Sequence, residues 1–280
     1  MAITYQSSQT TSYASGSTVV VTKPTGLAVG DLMVACIQAL GITAHTDITC
    51  SGWTTETGNN NIDAAILKKI ADSADVAASN FTFYLGATYQ SGGAITRITT
   101  GSSTWTTGTI FNAGTTATPT FTTGITPATT DSLMLMFVFG IGTGGVETSS
   151  AYAITTNNPT WTEAYDIGVN STTDGTIALA YANRPENSAT GNFSATCSGG
   201  SNTKFGLLIS IPEMLNVTVS PSVIDLTLSV QAPAVTGGAT VSPDAIIMTA
   251  SVQAPTVNIT ANPITNTDKN TSTWVNPDKS

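Results

Sequence analysis

The chain is short of charge. Only 9% of its 280 residues are Asp, Glu, Lys or Arg, against about 25% in an ordinary globular protein. Eight Lys and Arg against seventeen Asp and Glu leave a net charge of −9, and the cations are scattered, with no basic stripe to neutralise phosphates. A nucleic-acid partner is therefore not expected. A single histidine, His45, excludes His-rich metal sites and ties any Ser-His-Asp triad to one loop residue. No apolar stretch reaches the roughly eighteen residues of a membrane helix, so membrane insertion is not expected either. Three cysteines, Cys36, Cys50 and Cys197, are an odd number in a chain long enough to bury a core without staples, which argues against a disulfide framework. Cys36 lies in an apolar run and reads as a small buried hydrophobe; a Cys50–Cys197 bridge stays open.

Sequence motifs for chemistry are also missing. There is no Gly-x-Ser-x-Gly elbow, phosphate-binding glycine loop, His-Glu-x-x-His or EF-hand loop. His45, Asp47 and Cys50 could approach a metal, but a polar loop histidine is the simpler reading. Glu163 and Asp166 beside Trp161 could form a glycosidase pair, yet Glu56 follows Trp53 in a similar way, which favours repeated architecture over a site. Trp53 and Trp161 read as core or sheet-edge aromatics, and Trp105, amid polar residues, as the better exposed contact. No catalytic residue, metal ligand or cofactor is assigned, and the chain is expected to be non-enzymatic.

Thr, Ser, Gly and Asn are abundant and strong helix formers scarce, a β composition. Residues 7–16 read as an extended arm or loosely held first strand, and 17–22 as a strand closed by the turn Lys23-Pro24-Thr25-Gly26. Residues 30–37 (GDLMVACI) are apolar enough for a central strand buried on both faces. The run recurs at 131–139 (DSLMLMFVF), and Trp161 follows it as Trp53 follows the first. Leu32 to Trp53 spans 21 residues and Leu133 to Trp161 spans 28; Trp53 to Ile66 spans 13 and Trp161 to Ile177 spans 16; Ile66 to Phe81 spans 15 and Ile177 to Phe193 spans 16. Order is kept while loops change length, the signature of a duplicated supersecondary unit. Helix and strand templates compete over 62–73; the echo at 175–187 predicts a strand at 64–71 and a loop at 72–79. Residues 205–211 close the pattern before Pro212.

The expected fold is all-β: a jelly-roll-like sandwich over 1–214 built from two related Greek-key halves, about 17–112 and 113–214. It is preferred to two tandem sandwiches because each half alone would be a marginal core. Residues 215–280 form an extended β-repeat segment in which VSPSVIDLTLSVQAPAV, from Val219, returns as VSPDAIIMTASVQAPTV, from Val241, 22 residues on. So short a unit cannot bury a face alone, so this segment is expected to drive assembly or oligomerisation.

The N-terminal residues 1–8 lack the charged start and apolar core of a signal peptide, so synthesis and retention in a cytosol are expected. The charge-poor surface looks extracellular, and a particle assembled in a cell and released by lysis reconciles the two. The residues Lys23-Pro24-Thr25-Gly26, Gly30-Asp31-Leu32-Met33-Val34-Ala35 and Gly52-Trp53-Thr54, with Thr160-Trp161-Thr162-Glu163 and the Val-Ser-Pro repeats, resemble jelly-roll-type phage tail-associated and minor virion structural proteins. That resemblance implies a virion component of tail, baseplate or fibre, with capsid decoration as the near alternative and a carbohydrate-binding module as the alternative of another class. The partners it implies are other virion proteins, further copies of the chain through 215–280, and a host surface glycan. It carries over no active-site residue.

Overall fold

A computed structural model describes residues 3–99, 101–143, 145, 147–170, 174–198 and 202–213, and the backbone of 224–229 and 247–252. The chain divides into two units, Met1–Met214 and Leu215–Ser280.

The first unit begins with β1 (Thr4–Thr22), β2 (Leu32–Leu40), β3 (Thr54–Asn59), β4 (Ala64–Ile70), helix α1 (Ser73–Ala77) and β5 (Asn80–Thr99). These strands form one antiparallel sheet in the order β1-β5-β2-β4-β3. β2 is buried along its whole length: Leu32, Val34 and Cys36 enter one apolar cluster, and Met33, Ala35 and Ile37 enter another. A strand covered on both faces needs continuous apolarity rather than alternation.

After β6 (Thr106–Thr107), β7 (Phe111–Gly114) and β8 (Thr120–Phe121) come β9 (Ser132–Gly142), β10 (Ser149–Ile154), β11 (Thr162–Val169), β12 (Asp174–Arg184), β13 (Phe193–Cys197) and β14 (Thr203–Ile211). The second large sheet runs β11-β12-β9-β14-β6, with β7 also on β14. It repeats the first sheet strand for strand. Leu32 pairs with Ile70 and Ile98, and Leu133 with Asn183 and Ile211, so β9 stands for β2, β12 for β4 and β14 for the inner end of β5. By this register Leu179, opposite Phe137, is the counterpart of Ile66, opposite Cys36. The spacing alone points to Ile177, two residues away and on the same face.

β1 and β5 are 19 and 20 residues long, about three times a typical strand. Register shifts between Thr11 and Ala14 and between Gly16 and Thr18, with Gly86 at φ +76°, bend this ribbon. Its far end, residues 18–22 paired with 80–84, folds over the outer face of its own sheet, where Val19, Val21, Phe81 and Phe83 cover Met33, Ala35 and Ile37. In the second half the same outer layer is a separate sheet, β10-β13-β8. There Phe121 stacks on Phe193 at 4.7 Å, over Gly206, where a Cβ would come within 2.6 Å of the Phe121 ring.

The two inner sheets share one core, with Leu32, Val34, Cys36 and Ile66 from the first half and Leu133, Leu135, Phe137, Phe139 and Leu207 from the second. They meet as an isologous pair would. Tyr5 of β1 stacks on Tyr181 of β12 at 3.9 Å, while Trp105, just before β6, lies under Lys68 of β4 with Nζ 4.6 Å from the ring centroid. Lys68 and Tyr181 are register equivalents, opposite Val34 and Leu135. Tyr5 pairs with Ile98, and one step beyond the Thr106–Ser210 pair brings Trp105 opposite Ile211. The two contacts are one contact made twice.

The first unit is thus the antiparallel all-β sandwich expected, and the structure corrects its details. Each half supplies both an inner and an outer layer, giving fourteen strands among the described residues of this unit, because the long ribbon folds back on itself. The halves part between Thr99 and Thr106 rather than at 112/113, since β6 and β7 pair with β14. The first half starts at Thr4 rather than 17: residues 7–16 are a full strand on β5. Residues 72–79 are not wholly loop. Asp72 caps α1 by accepting from Ala74 and Asp75 N–H, and Asp75 returns the bond to Asp72 N–H, a capping box. The echo misleads there because its counterpart carries Pro185 and is held instead by the fully buried Arg184, which donates to Ser188 O at 2.6 Å.

In the second unit β15 (Ile224–Ser229) pairs antiparallel with β16 (Ile247–Val252). Thr227 faces Thr249, residues that occupy the same place in the two 22-residue repeats. The rest of this unit lies outside the described residues.

The shared core predicts that the first unit melts in one transition, and that Phe137→Ala, 1% exposed in the wild type, costs about 3–5 kcal/mol in urea unfolding. Two separate transitions, or a cost below about 1 kcal/mol, would contradict a common core.

Candidate functional site

Register locates the one large difference between the halves. Thr49 bridges Tyr84 and Ser150 pairs with Thr196; Thr49 lies 17 residues after Leu32, and Ser150 lies 17 after Leu133. Up to here the copies match in length. Trp53 then follows Thr49 by four residues, whereas Trp161 follows Ser150 by eleven. The two tryptophans are equivalents, each preceding a threonine that pairs with Lys68 or Tyr181. The second half therefore carries seven more residues between Ser150 and Trp161, a stretch that includes most of β10.

The insertion builds an open groove of about 500 Å³ lined by Ser150, Ala151, Tyr152, Asn158, Pro159, Thr160, Trp161 and Glu163. Its backbone is unusual. β10 carries a register break between Ser150 and Ala153, with Ala151 at φ +48°, a conformation that costs a residue bearing a Cβ about 1–2 kcal/mol. Asn158 Oδ1 accepts from Ile154 N–H at 2.9 Å and from Trp161 Nε1 at 3.0 Å, so one side chain fixes both the turn and the indole. Trp161 packs one side on the outer core of this half. Trp53, also half-buried, meets Phe81 and Phe83 edge-on at 5.6 and 5.4 Å against the other outer core.

Two buried polar atoms beside the groove lack a hydrogen-bond partner, the Tyr152 hydroxyl and Asp166 Oδ1. The other Asp166 oxygen accepts from Ser149 N–H at 2.5 Å. Burial pushes the Asp166 carboxyl up to about 7; the Ser149 N–H opposes the shift, and the charges of Glu163 and Glu147 add to it. Burial likewise pushes the Tyr152 phenol up, with Asp166, Glu163 and Cys197 adding to it and the nearby Ser149 hydroxyl offsetting a little.

The residues weighed from the sequence fall as follows. His45 sits in a 3-10 turn, His45–Asp47, with Nδ1 2.9 Å from Asn60 Oδ1, and among the described residues no group of three or more His, Cys, Asp or Glu is placed to hold a metal. Cys50 and Cys197 are free thiols in the outer cores of opposite halves, so they form no bridge. Glu56 and Glu163 are not equivalents: Glu56 is the bulged residue of β3 and bonds Lys68 at 2.6 Å, whereas Glu163 corresponds to Thr55 and is exposed. Trp105, expected as an exposed contact, packs on the shared core, whereas Trp161 packs on the outer core beside an edge strand, as expected, and also lines the groove. Tyr152 and Asn158 escaped notice in the sequence; the signal was the 28-residue spacing against 21.

No protein-family model, curated protein or solved structure matches the chain.

A second polar cluster, at the end of the same inner sheet, is closed in on itself. Lys204 Nζ lies 2.6 Å from Glu147 Oε1 and donates to Asn202 O at 2.8 Å, and Asn202 donates to Gly145 O at 2.9 Å. Both charges are buried. A matched, desolvated pair of this kind fixes a loop rather than offering a vacancy.

The raised Asp166 carboxyl has a signed consequence. Its folded value of about 7 exceeds the ordinary 3.8, so its contribution to stability is full below about pH 4 and lost as pH rises to about 7. Asp166→Asn, neutral throughout, should stabilise the protein relative to wild type by on the order of 1–2 kcal/mol at pH 8, discounted for partial exposure, and by nothing at pH 4. Thermal melts of both proteins across that range check it; a pH-independent difference would refute it.

Proposed function

We propose that this chain is a non-enzymatic structural component of a bacteriophage particle, in a tail, baseplate or fibre, with its sandwich unit turned outward for surface contact and its C-terminal repeats mediating assembly. Capsid decoration is the near alternative within the same class. The observation that carries the reading is the pairing of the two C-terminal repeats. In register, Ile224, Leu226 and Leu228 stand opposite Val252, Ala250 and Met248, apolar against apolar. A two-stranded ribbon is marginal by itself in water, and one built of two equivalent strands crossing at equivalent residues is self-complementary. Further copies of this chain and other virion proteins are the partners that supply what the ribbon lacks. A sandwich with a large doubly covered core suits a particle that must survive outside a cell.

The reading predicts that deleting residues 216–280 leaves a soluble sandwich whose melting temperature is unchanged and which is monomeric by light scattering, while the full chain self-associates. A truncated protein that associates as the full chain does, or joins particles equally well, would overturn the assembly role.

A further inference from the structure

We propose that the groove between β10 and Trp161 binds a neutral saccharide. The proposal stands on the groove itself, so its failure would leave the assembly reading untouched.

The argument begins with the duplication. The first half places its tryptophan four positions after Thr49, the second eleven after Ser150, and the residues of the longer path do more than add Tyr152 and Ile154 to the outer core. They hold Ala151 in a conformation unfavourable for alanine and stand Trp161 in a groove wall. A strained residue held in place by its surroundings marks a position kept for something other than stability. The counterpart tryptophan, Trp53, shows what the fold does with this side chain when no groove is made: half-buried on the outer core, it packs edge-on against two phenylalanines.

The chemistry of the lining then narrows the ligand. An indole pinned through its Nε1 to Asn158 presents a fixed apolar plane, suited to the C–H face of a sugar ring. Around it are groups that exchange hydrogen bonds with hydroxyls: the exposed carboxylate of Glu163, the Asn158 amide nitrogen left after its oxygen has accepted twice, and Thr160. An aromatic plane with a few polar groups is the make-up of a small-molecule site. Charge selects among sugars. Glu163 at the rim, Asp166 behind it and a chain carrying −9 all disfavour an acidic or sulfated glycan, and no cation lines the groove.

The test uses the full chain and soluble tetra- to hexasaccharides of glucose, galactose, mannose and N-acetylglucosamine, with a sialylated and a sulfated oligosaccharide beside them, each up to about 10 mM, the range of weak single-site binding. The readout is the indole N–H resonance of Trp161, assigned by its loss in Trp161→Phe. Saturable shifts of that resonance with at least one neutral probe are expected, and isothermal titration calorimetry, which does not need the Trp161 indole, should show affinity lowered about tenfold or more in Trp161→Ala and lowered measurably in Glu163→Gln. Glu163 is exposed, so its replacement tests the groove even where Trp161→Ala unfolds. Trp105→Phe, remote from the groove, should bind as the wild type does. No shift with any neutral probe, binding confined to the acidic probes, or binding indifferent to both Trp161→Ala and Glu163→Gln would each overturn the proposal.

Discussion

The rest of the first unit depends on the burial of two sheets against each other through β2 and β9. Each strand is covered on both faces, so neither can alternate, and each reads as an apolar run. Once Leu32, Val34 and Cys36 face Leu133, Leu135 and Phe137 in one core, the odd-numbered side of β2 and the even-numbered side of β9 still need cover. That second requirement is what the long β1–β5 ribbon and the β10-β13-β8 sheet meet. Four layers follow from two strands that cannot show a face to water.

The same constraint explains how the copies relate. Face-to-face packing of two equivalent sheets brings the edge of one over the opposite edge of the other, as in a symmetric dimer. Here the partners are tied by one chain, so each interfacial position is free to differ from its equivalent. Tyr5 on Tyr181 and Trp105 under Lys68 occupy one pair of positions and use different physics: an aromatic stack on one side, a cation over an indole on the other. Duplication fixes the geometry of a contact and leaves its chemistry to vary. The same freedom separates α1, held by a capping box, from the loop after Arg184, held by a buried guanidinium.

Much of the inner architecture could be read in the sequence because it rests on one face-independent signal, the continuous apolar strand, and on its repetition. Gly30 to Ile37 and its echo located the two central strands and separated strand from helix at Ala64. The strands flanking the central one in the first inner sheet were less legible. Residues 86–99 hold few of the alternating apolar residues that mark a strand, since the segment is rich in Gly, Thr and Ser and is specified by partners on both sides rather than by its own pattern. Residues 7–16 read as an arm for the same reason. A bend such as that at Gly86 turns one strand into members of two layers, and nothing local distinguishes it from a turn between two strands. The groove was hidden differently: its parts are ordinary residues, and only the unequal spacing of two tryptophans betrays them.

Where a duplicated fold departs from its own symmetry, the cost of the departure indicates why it persists. Lengthening a surface loop is inexpensive, about 0.6 kcal/mol for each doubling, so seven extra residues alone would signify little. The strands on either side of the longer loop carry larger penalties: Ala151 of β10 in the left-handed region and Asp166 of β11, a buried carboxyl whose charged form burial disfavours. The first half makes the equivalent path shorter, puts a glycine, Gly52, in the left-handed conformation and has Gly58 at the register position of Asp166. The shared core lets the second half carry that burden, because the outer layer can give up stability while the two inner sheets hold each other. Local destabilisation on a rigid scaffold is how binding surfaces are commonly built, and in this chain it is concentrated on one face of one copy.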